Sequence, residues 1–212
     1  YAFEYADLKK DTTGAYFNYV MRELAQGFIR TIERAVVIGD GNAANADDKI
    51  TEIKSIAEET EPNLFETQKI NTAGVFDNAV LETLVAGIDK MVPNTTPILV
   101  TSKAIARKLK LVKDAEGRYI DPQPFAPIAT DGNIIAGFQV YIYDWMDGET
   151  NPIIAFADQA YKMIGDDVAA DRFEDYDVTV NRRHIELVSV MGGRLAQYKS
   201  AVKFTTPADK IE

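Results

Sequence analysis

An α+β fold is predicted for this 212-residue chain, and three features of the sequence predict it. A long apolar stripe at helical spacing fills the stretch from about Thr13 to Val37. From Ile134 onward the pattern turns to short runs rich in Val, Ile, Tyr and Phe. Helices therefore come early and strands late, which argues against a doubly wound sheet built on regular alternation. A chain of this length fills one generous domain or two small lobes, burying roughly 70% of its unfolded surface.

The first helix is written in Phe17, Val20, Met21, Leu24, Phe28, Ile32, Ala35 and Val36, spaced by threes and fours so that they share one face. Thr12 or Thr13 caps its start, and Gly39-Asp40-Gly41 stops it. Gly27, inside the helix, is expected to mark a close backbone approach. Residues 42–71 are polar, acidic and weakly periodic. They predict an extended excursion with one short helix at 50–58, the most mobile part of the chain.

A second amphipathic helix is predicted over 76–91, with Val80, Leu81, Leu84, Val85 and Ile88 on its buried face. Pro93 and Pro97 bracket a loop, Ile98-Leu99-Val100 forms a buried strand, and Ser102 caps a helix through Leu111. Lys113 to Tyr119 reads as a turn. Strands are predicted at 134–143, 152–156, 161–164, 176–180, 184–190 and 195–204, with Asp131-Gly132-Asn133 and Asp147-Gly148 as turns. No internal repeat stands out.

Composition excludes several functions. Hydrophobic residues make up 46% and charged residues 26%, as in ordinary globular proteins, so disorder is not expected. A formal net charge of −10 repels phosphate backbones and argues against a dedicated nucleic-acid binder. The basic groups Lys103, Arg107, Lys108, Lys110, Lys113, and Arg182 with Arg183, read as solvated faces. The absence of cysteine removes disulfides, thiolate metal sites and cysteine nucleophiles. No apolar run reaches the ~20 residues that cross a bilayer, and no signal peptide opens the chain. A chain starting at Tyr1 rather than Met is expected to be a fragment.

No candidate catalytic site outweighs its structural reading. Gly39-Asp40-Gly41-Asn42 follows a helix and lacks the Lys of a phosphate loop and the alternating acids of a calcium loop, so it reads as a helix stop. His184, the only histidine, lies between Arg183 and Ile185 in a strand, and no Gly-x-Ser-x-Gly elbow accompanies it. Asp166, Asp167, Asp171, Glu174, Asp175 and Asp177 could gather a cation or act as paired carboxylates. Such a run more often forms a solvated edge. Trp145, Met146, Tyr141 and Tyr143 could line a ligand pocket, but aromatics alternating along a strand more often pack a core face or a subunit contact. No cofactor is implied.

In order, these segments resemble the major capsid proteins of tailed bacteriophages, a family whose fold is shared with encapsulins and herpesvirus capsids. The Gly39-Asp40-Gly41 turn after a long helix resembles the end of that family's spine helix. Leu111-Val112-Lys113-Asp114-Ala115-Glu116-Gly117-Arg118-Tyr119 is similar to its "leu-x-lys-asp-x-x-gly-x-tyr" passage. Gly137-Phe138-Gln139-Val140 resembles a "gly-x-pro-val" strand, with Gln139 in place of Pro. Phe156-Ala157-Asp158 with Tyr161, the stretch from Asp171-Arg172-Phe173 to Val180, Arg194-Leu195-Ala196 and Ala201-Val202-Lys203-Phe204 complete the likeness.

The resemblance implies an α+β capsid fold. A peripheral lobe with the spine helix (1–41) would be followed by an axial lobe (42–175) and by C-terminal strands returning to the peripheral lobe (176–212). It also implies a non-enzymatic subunit of an icosahedral phage or prophage shell, assembling with copies of itself into pentamers and hexamers that enclose DNA. Scaffolding protein and portal would be further partners, and no sequence-specific nucleic acid or membrane would be bound. Location in the virion and assembly in the host cytoplasm follow from the same likeness. Its structural motif residues are Gly39, Asp40, Gly41, Lys113, Asp114, Gly117 and Tyr119. The family's Lys–Asn cross-link is not carried over, because the place where that Asn would fall, near Ile185, holds no Asn and the loop that would supply the Lys is absent. Without the family's N-terminal arm and extended loop, the fragment is expected to be monomeric or weakly associating. The alternatives are an encapsulin-type compartment shell and, further off, an α+β hydrolase or ligand-binding module using the Asp166–Asp177 acids.

Overall fold

The structure, a computed structural model, describes residues 2–4, 15–43, 46, 49–70, 76–92, 96–129, 132–135, 137–165, 171–179 and 182–206. In chain order the elements are β1 (Ala2–Glu4), α1 (Ala15–Val37), β2 (Phe65–Lys69), α2 (Asn78–Ile88), β3 (Pro97–Thr101), α3 (Lys103–Lys110), β4 (Asn133–Ile135) and β5 (Phe138–Ile142). A 3-10 turn (Asp144–Met146) follows, then β6 (Ile153–Ala157), β7 (Tyr161–Gly165), β8 (Asp171–Asp177), β9 (Arg182–Val188), β10 (Met191–Leu195) and β11 (Ala201–Thr205). The fold is α+β, as predicted. The chain forms two compact units, one of Tyr1–Lys54 with Met163–Gly193 and one of Ser55–Lys162 with Arg194–Glu212.

In the first unit, α1 runs 23 residues, about 35 Å at 1.5 Å per residue. Its predicted stripe holds at the N-terminal half, where Phe17, Val20, Met21 and Leu24 pack on Ile185 of β9. Strands β1, β9 and β8 form an antiparallel sheet in that order. Register places Ile185 opposite Glu174 and Phe173 opposite Glu186, so the two pairs face opposite sides of the sheet. Arg172 stands over the Phe17 ring at 5.4 Å. The close approach expected at Gly27 does not occur among the described residues, since a side chain there would meet nothing within 4 Å.

The second unit carries a mixed six-stranded sheet in the order β2-β11-β6-β3-β5-β4, with β2 parallel to β11, β3 parallel to β5, and antiparallel pairs elsewhere. Central β6, Ile-Ile-Ala-Phe-Ala, reads as a continuous apolar run because both of its neighbours and both faces are covered. Helix α2 is capped by Asp77, whose side chain accepts from the Val80 N–H at 3.3 Å. Val80, Leu81 and Leu84 of α2 lie with Leu99, Val140, Ile153, Val202 and Phe204 in one core. Gly87 is needed there, because a Cβ at that position would lie 2.7 Å from the Phe204 ring.

Several expectations are corrected. Residues 55–69 are not a loose excursion with a helix at 50–58. Ser55, Ile56 and Glu59 are buried, and β2 forms the edge of the large sheet. The run 134–143 is two antiparallel strands, β4 and β5, parted at Gly137, whose φ of 86° breaks the extended backbone. The strand predicted at 176–180 lies earlier, as β8. The strand predicted at 195–204 is two, β10, which pairs with β7, and β11. The division also departs from 1–41, 42–175 and 176–212. Residues through Lys54 and Met163–Gly193 belong to the first unit, and β11 is an inner strand of the second unit's sheet.

Candidate functional site

The two motifs singled out in the sequence are both tight turns organised by one aspartate. At the end of α1, the N–H groups of Ile38 and Gly39 donate to the Arg34 carbonyl at 2.9 and 3.1 Å, closing the helix. Gly39 and Gly41 sit at φ 100° and 82°, in the left-handed region. A Cβ on Gly41 would run into the Arg34 guanidinium. Between them the Asp40 side chain is 2% exposed and accepts from the Ile50 N–H and Lys49 Nζ, each at 2.6 Å, and from the Asn42 N–H at 3.1 Å. Burial pushes this carboxyl up, but those donors outweigh it and hold it at about 2. Asp40 thus ties the helix end to residues ten positions on, within the first unit.

In the second unit Lys113 and Tyr119 bridge across an antiparallel turn. Asp114 accepts from the backbone N–H groups of Arg118 and Glu116 at 2.8 and 3.0 Å and from Arg118 Nε at 3.0 Å. The Arg118 N–H leads the donors that lower its carboxyl, against the upward pull of desolvation. Gly117, at φ 80° with open space around it, is required for its backbone and not for packing. Tyr119 packs edge-on against Phe125 at 5.3 Å, and Lys113 Nζ stands 4.9 Å from the Tyr119 ring. Each motif is therefore a preformed rigid corner, and the two lie in different units.

The other candidates do not converge. Asp166 and Asp167 lie outside the described residues. Asp171, Glu174, Asp175 and Asp177 are strung along β8, where Glu174 pairs with Arg172. His184 is exposed on β9, in register with Asp175. Among the described residues no group of three His, Asp or Glu could hold a metal ion. Tyr143 and Trp145 stack at 4.5 Å over the 3-10 turn, with Met146 buried.

Two features escaped sequence reasoning. Lys203, 7% exposed on β11, donates to the carbonyls of Ala57 at 3.0 Å and Glu59 at 2.8 Å, and its Nζ lies 3.5 Å from the centre of the Phe65 ring. The buried Glu59 carboxylate accepts from the N–H groups of Thr60 and Glu61, and burial followed by the Glu59 charge pushes the Tyr161 phenol up. The second feature is a groove of about 1100 Å³ between α2 and the segments of residues 120–123, 126–127 and 132–134. None of Glu174, Asp175 and Asp177 lines it. Its buried Lys110, Asp121 and Asn133 had no signal beyond their individual letters.

Residues 6–206 match the phage capsid family. No curated protein matches the sequence. Solved structures share the fold at low identity. A chain from the capsid of an empty GTA particle superposes with a TM-score of 0.66 at 15% identity, covering 98% of this chain and 71% of that one. A chain of Mycobacterium phage Ogopogo gives 0.66 at 14% identity, covering 98% and 73%. A chain from the satellite phage P4 procapsid including the size determination (Sid) protein gives 0.60 at 10% identity, covering 98% and 69%. Neither the compartment-shell nor the hydrolase alternative is favoured by these matches.

Proposed function

The chain belongs to the phage capsid family and is a structural subunit of a phage capsid, and from that premise we propose that its copies build pentamers and hexamers of an icosahedral shell that encloses DNA. The observation that carries the proposal is the family match over residues 6–206, on a fold that joins a 23-residue helix and its sheet to a second unit with a core of its own. The first unit, with α1 as spine helix, serves as the peripheral lobe, and the second as the axial lobe. The Gly39-Asp40-Gly41 and Lys113–Tyr119 corners serve as fixed geometry, not as catalysts.

Axial lobes meeting head to tail make a heterologous contact, which closes into rings when the rotation per step divides a full turn. Single contacts can be weak, because releasing one subunit from a closed lattice breaks several at once. A net charge of −10 keeps packaged DNA from adhering to the wall. The protein acts by assembling, in the virion, after assembly in the host cytoplasm with scaffolding and portal proteins. Electron microscopy of the complete gene product expressed alone and with its neighbouring genes is expected to show closed shells. A folded product that stays dispersed in both settings overturns the proposal.

A further inference from the structure

The groove of the second unit is lined by two buried charges of opposite sign, Lys110 at the end of α3, 5% exposed, and Asp121, 6% exposed. Both grip one residue. Asp121 Oδ1 accepts from the Gln123 N–H at 2.7 Å, and Lys110 Nζ donates to the Gln123 carbonyl at 3.5 Å, the long limit of a hydrogen bond. Neither has a further partner among the described residues. Asp121 Oδ2 is buried without a donor, and the ammonium is left with one distant acceptor. Buried charges short of partners are unfavourable until something supplies them. Asn133, the third buried polar side chain there, is by contrast satisfied, exchanging hydrogen bonds of 2.7 and 3.2 Å with the Ala129 main chain. Leu81, Val85, Ile120 and Ile134 give the groove apolar walls. Glu82 and Asp89 stand at exposed positions on its rim, where water and salt screen them.

We propose that this groove binds a small zwitterion with an apolar body, an aliphatic or aromatic α-amino acid, whose carboxylate meets Lys110 and whose ammonium meets Asp121. A simple cation would leave Lys110 short of an acceptor, and a simple anion would leave Asp121 short of a donor. A zwitterion answers both and brings no net charge into the groove. Because the two protein groups hold the N–H and the carbonyl of the same residue, they lie within a short span. The charged groups of one α-amino acid are similarly close, whereas the ends of a longer peptide are not. The carboxylate torsion is soft, so one oxygen can keep the Gln123 N–H while the other turns to the ligand. The ligand's side chain lies along the apolar walls, the usual division of labour in a small-molecule site. Arg107 Nη1 donates to the carbonyls of Pro124 at 3.3 Å and Ala126 at 3.2 Å, so the loop is ordered in advance and little conformational entropy is lost on binding. The inference needs the fold of the second unit alone and goes beyond the shell-subunit reading.

L-phenylalanine, phenylpropionate and phenylethylamine share one apolar body and differ in which charges they carry, so titrating each into the complete gene product tests the site. By calorimetry L-phenylalanine is expected to bind and each singly charged analogue to bind at least tenfold more weakly. The amino acid should also raise the melting temperature as its concentration rises. Asp121→Asn and Lys110→Gln, checked for an unchanged fold by circular dichroism, should each lower its affinity at least tenfold. Where a variant fails to fold, the comparison of the three ligands on the wild type decides alone. L-phenylalanine that does not bind, or that binds no better than either analogue, overturns the site while leaving the shell reading intact. Affinity indifferent to both substitutions also overturns it. The readout needs no assembly, so a failure of the shell reading would leave this result standing.

Discussion

The second unit closes over a continuous core in which Leu84, Leu99, Val140, Ile153, Val202 and Phe204 are all at most 2% exposed. Among the described residues of the first unit, Val20 and Ile185 are buried between α1 and the sheet, Ala35, Val37 and Ile53 are buried as well, and Tyr19, Ile29, Phe173, Val178 and Val190 are exposed. Apolar burial stabilises by about 25 cal/mol per Å² removed from water, so the two units draw very unequally on that source. The first leans instead on local devices such as the Asp40 tie.

The largest expected effect separates the units directly. Phe204→Ala, in the middle of the second core, should cost about 3–5 kcal/mol, against ~1.5 kcal/mol for Val20→Ala in the first, read as shifts in denaturant midpoint. Equal losses would erase the distinction. Next comes Lys203→Met. It keeps the aliphatic stem but strips the donors from two carbonyls, one of them on the buried Glu59 segment, and should cost roughly 2–3 kcal/mol.

Asp40→Ala should cost about 1–3 kcal/mol by leaving the Ile50 N–H and Lys49 without their acceptor, and the loss should fall on the first unit. Its pH dependence has a definite sign. The folded-state pKa of about 2 lies below the ordinary 3.8, so the contribution is complete above pH 3.8 and fades as pH falls toward 2. Acid titration of the wild type should show this decline, and Asp40→Asn should lack it. The smallest effect is a gain. Gly27→Ala adds helix propensity with nothing in its way, and should raise stability by up to ~1 kcal/mol. A loss there would mean that the isolated helix face is not open.

Much of this was legible in the sequence where structure is local. The three helices, the Ser102 cap and the two turns follow from spacing and turn chemistry alone; Ser102 Oγ, for example, accepts from the Ile105 N–H at 3.3 Å. What was illegible depends on distant partners. Residues 55–69 look polar and weakly patterned, yet they are packed because Lys203, more than 140 residues later, supplies the donor that makes burial of their carbonyls tolerable. The strand β8 looks like a solvated acidic run because Arg172 to Tyr176 are exposed on both of its faces and only the register with β9 makes it a strand. The turn at Gly137 is hidden in a run that alternates like one long strand. The groove is the meeting of three segments, none of which is unusual alone.

Hydrogen exchange on free and assembled protein tests the contrast between the units most directly. In the free chain, amides of β3, β6 and β11 should be strongly protected, and those of β8, β9 and the N-terminal half of α1 should exchange far sooner. On assembly the second set should slow by orders of magnitude and the first should hardly change. Protection of β8 and β9 in the free chain equal to that of β6, with no change on assembly, would contradict it.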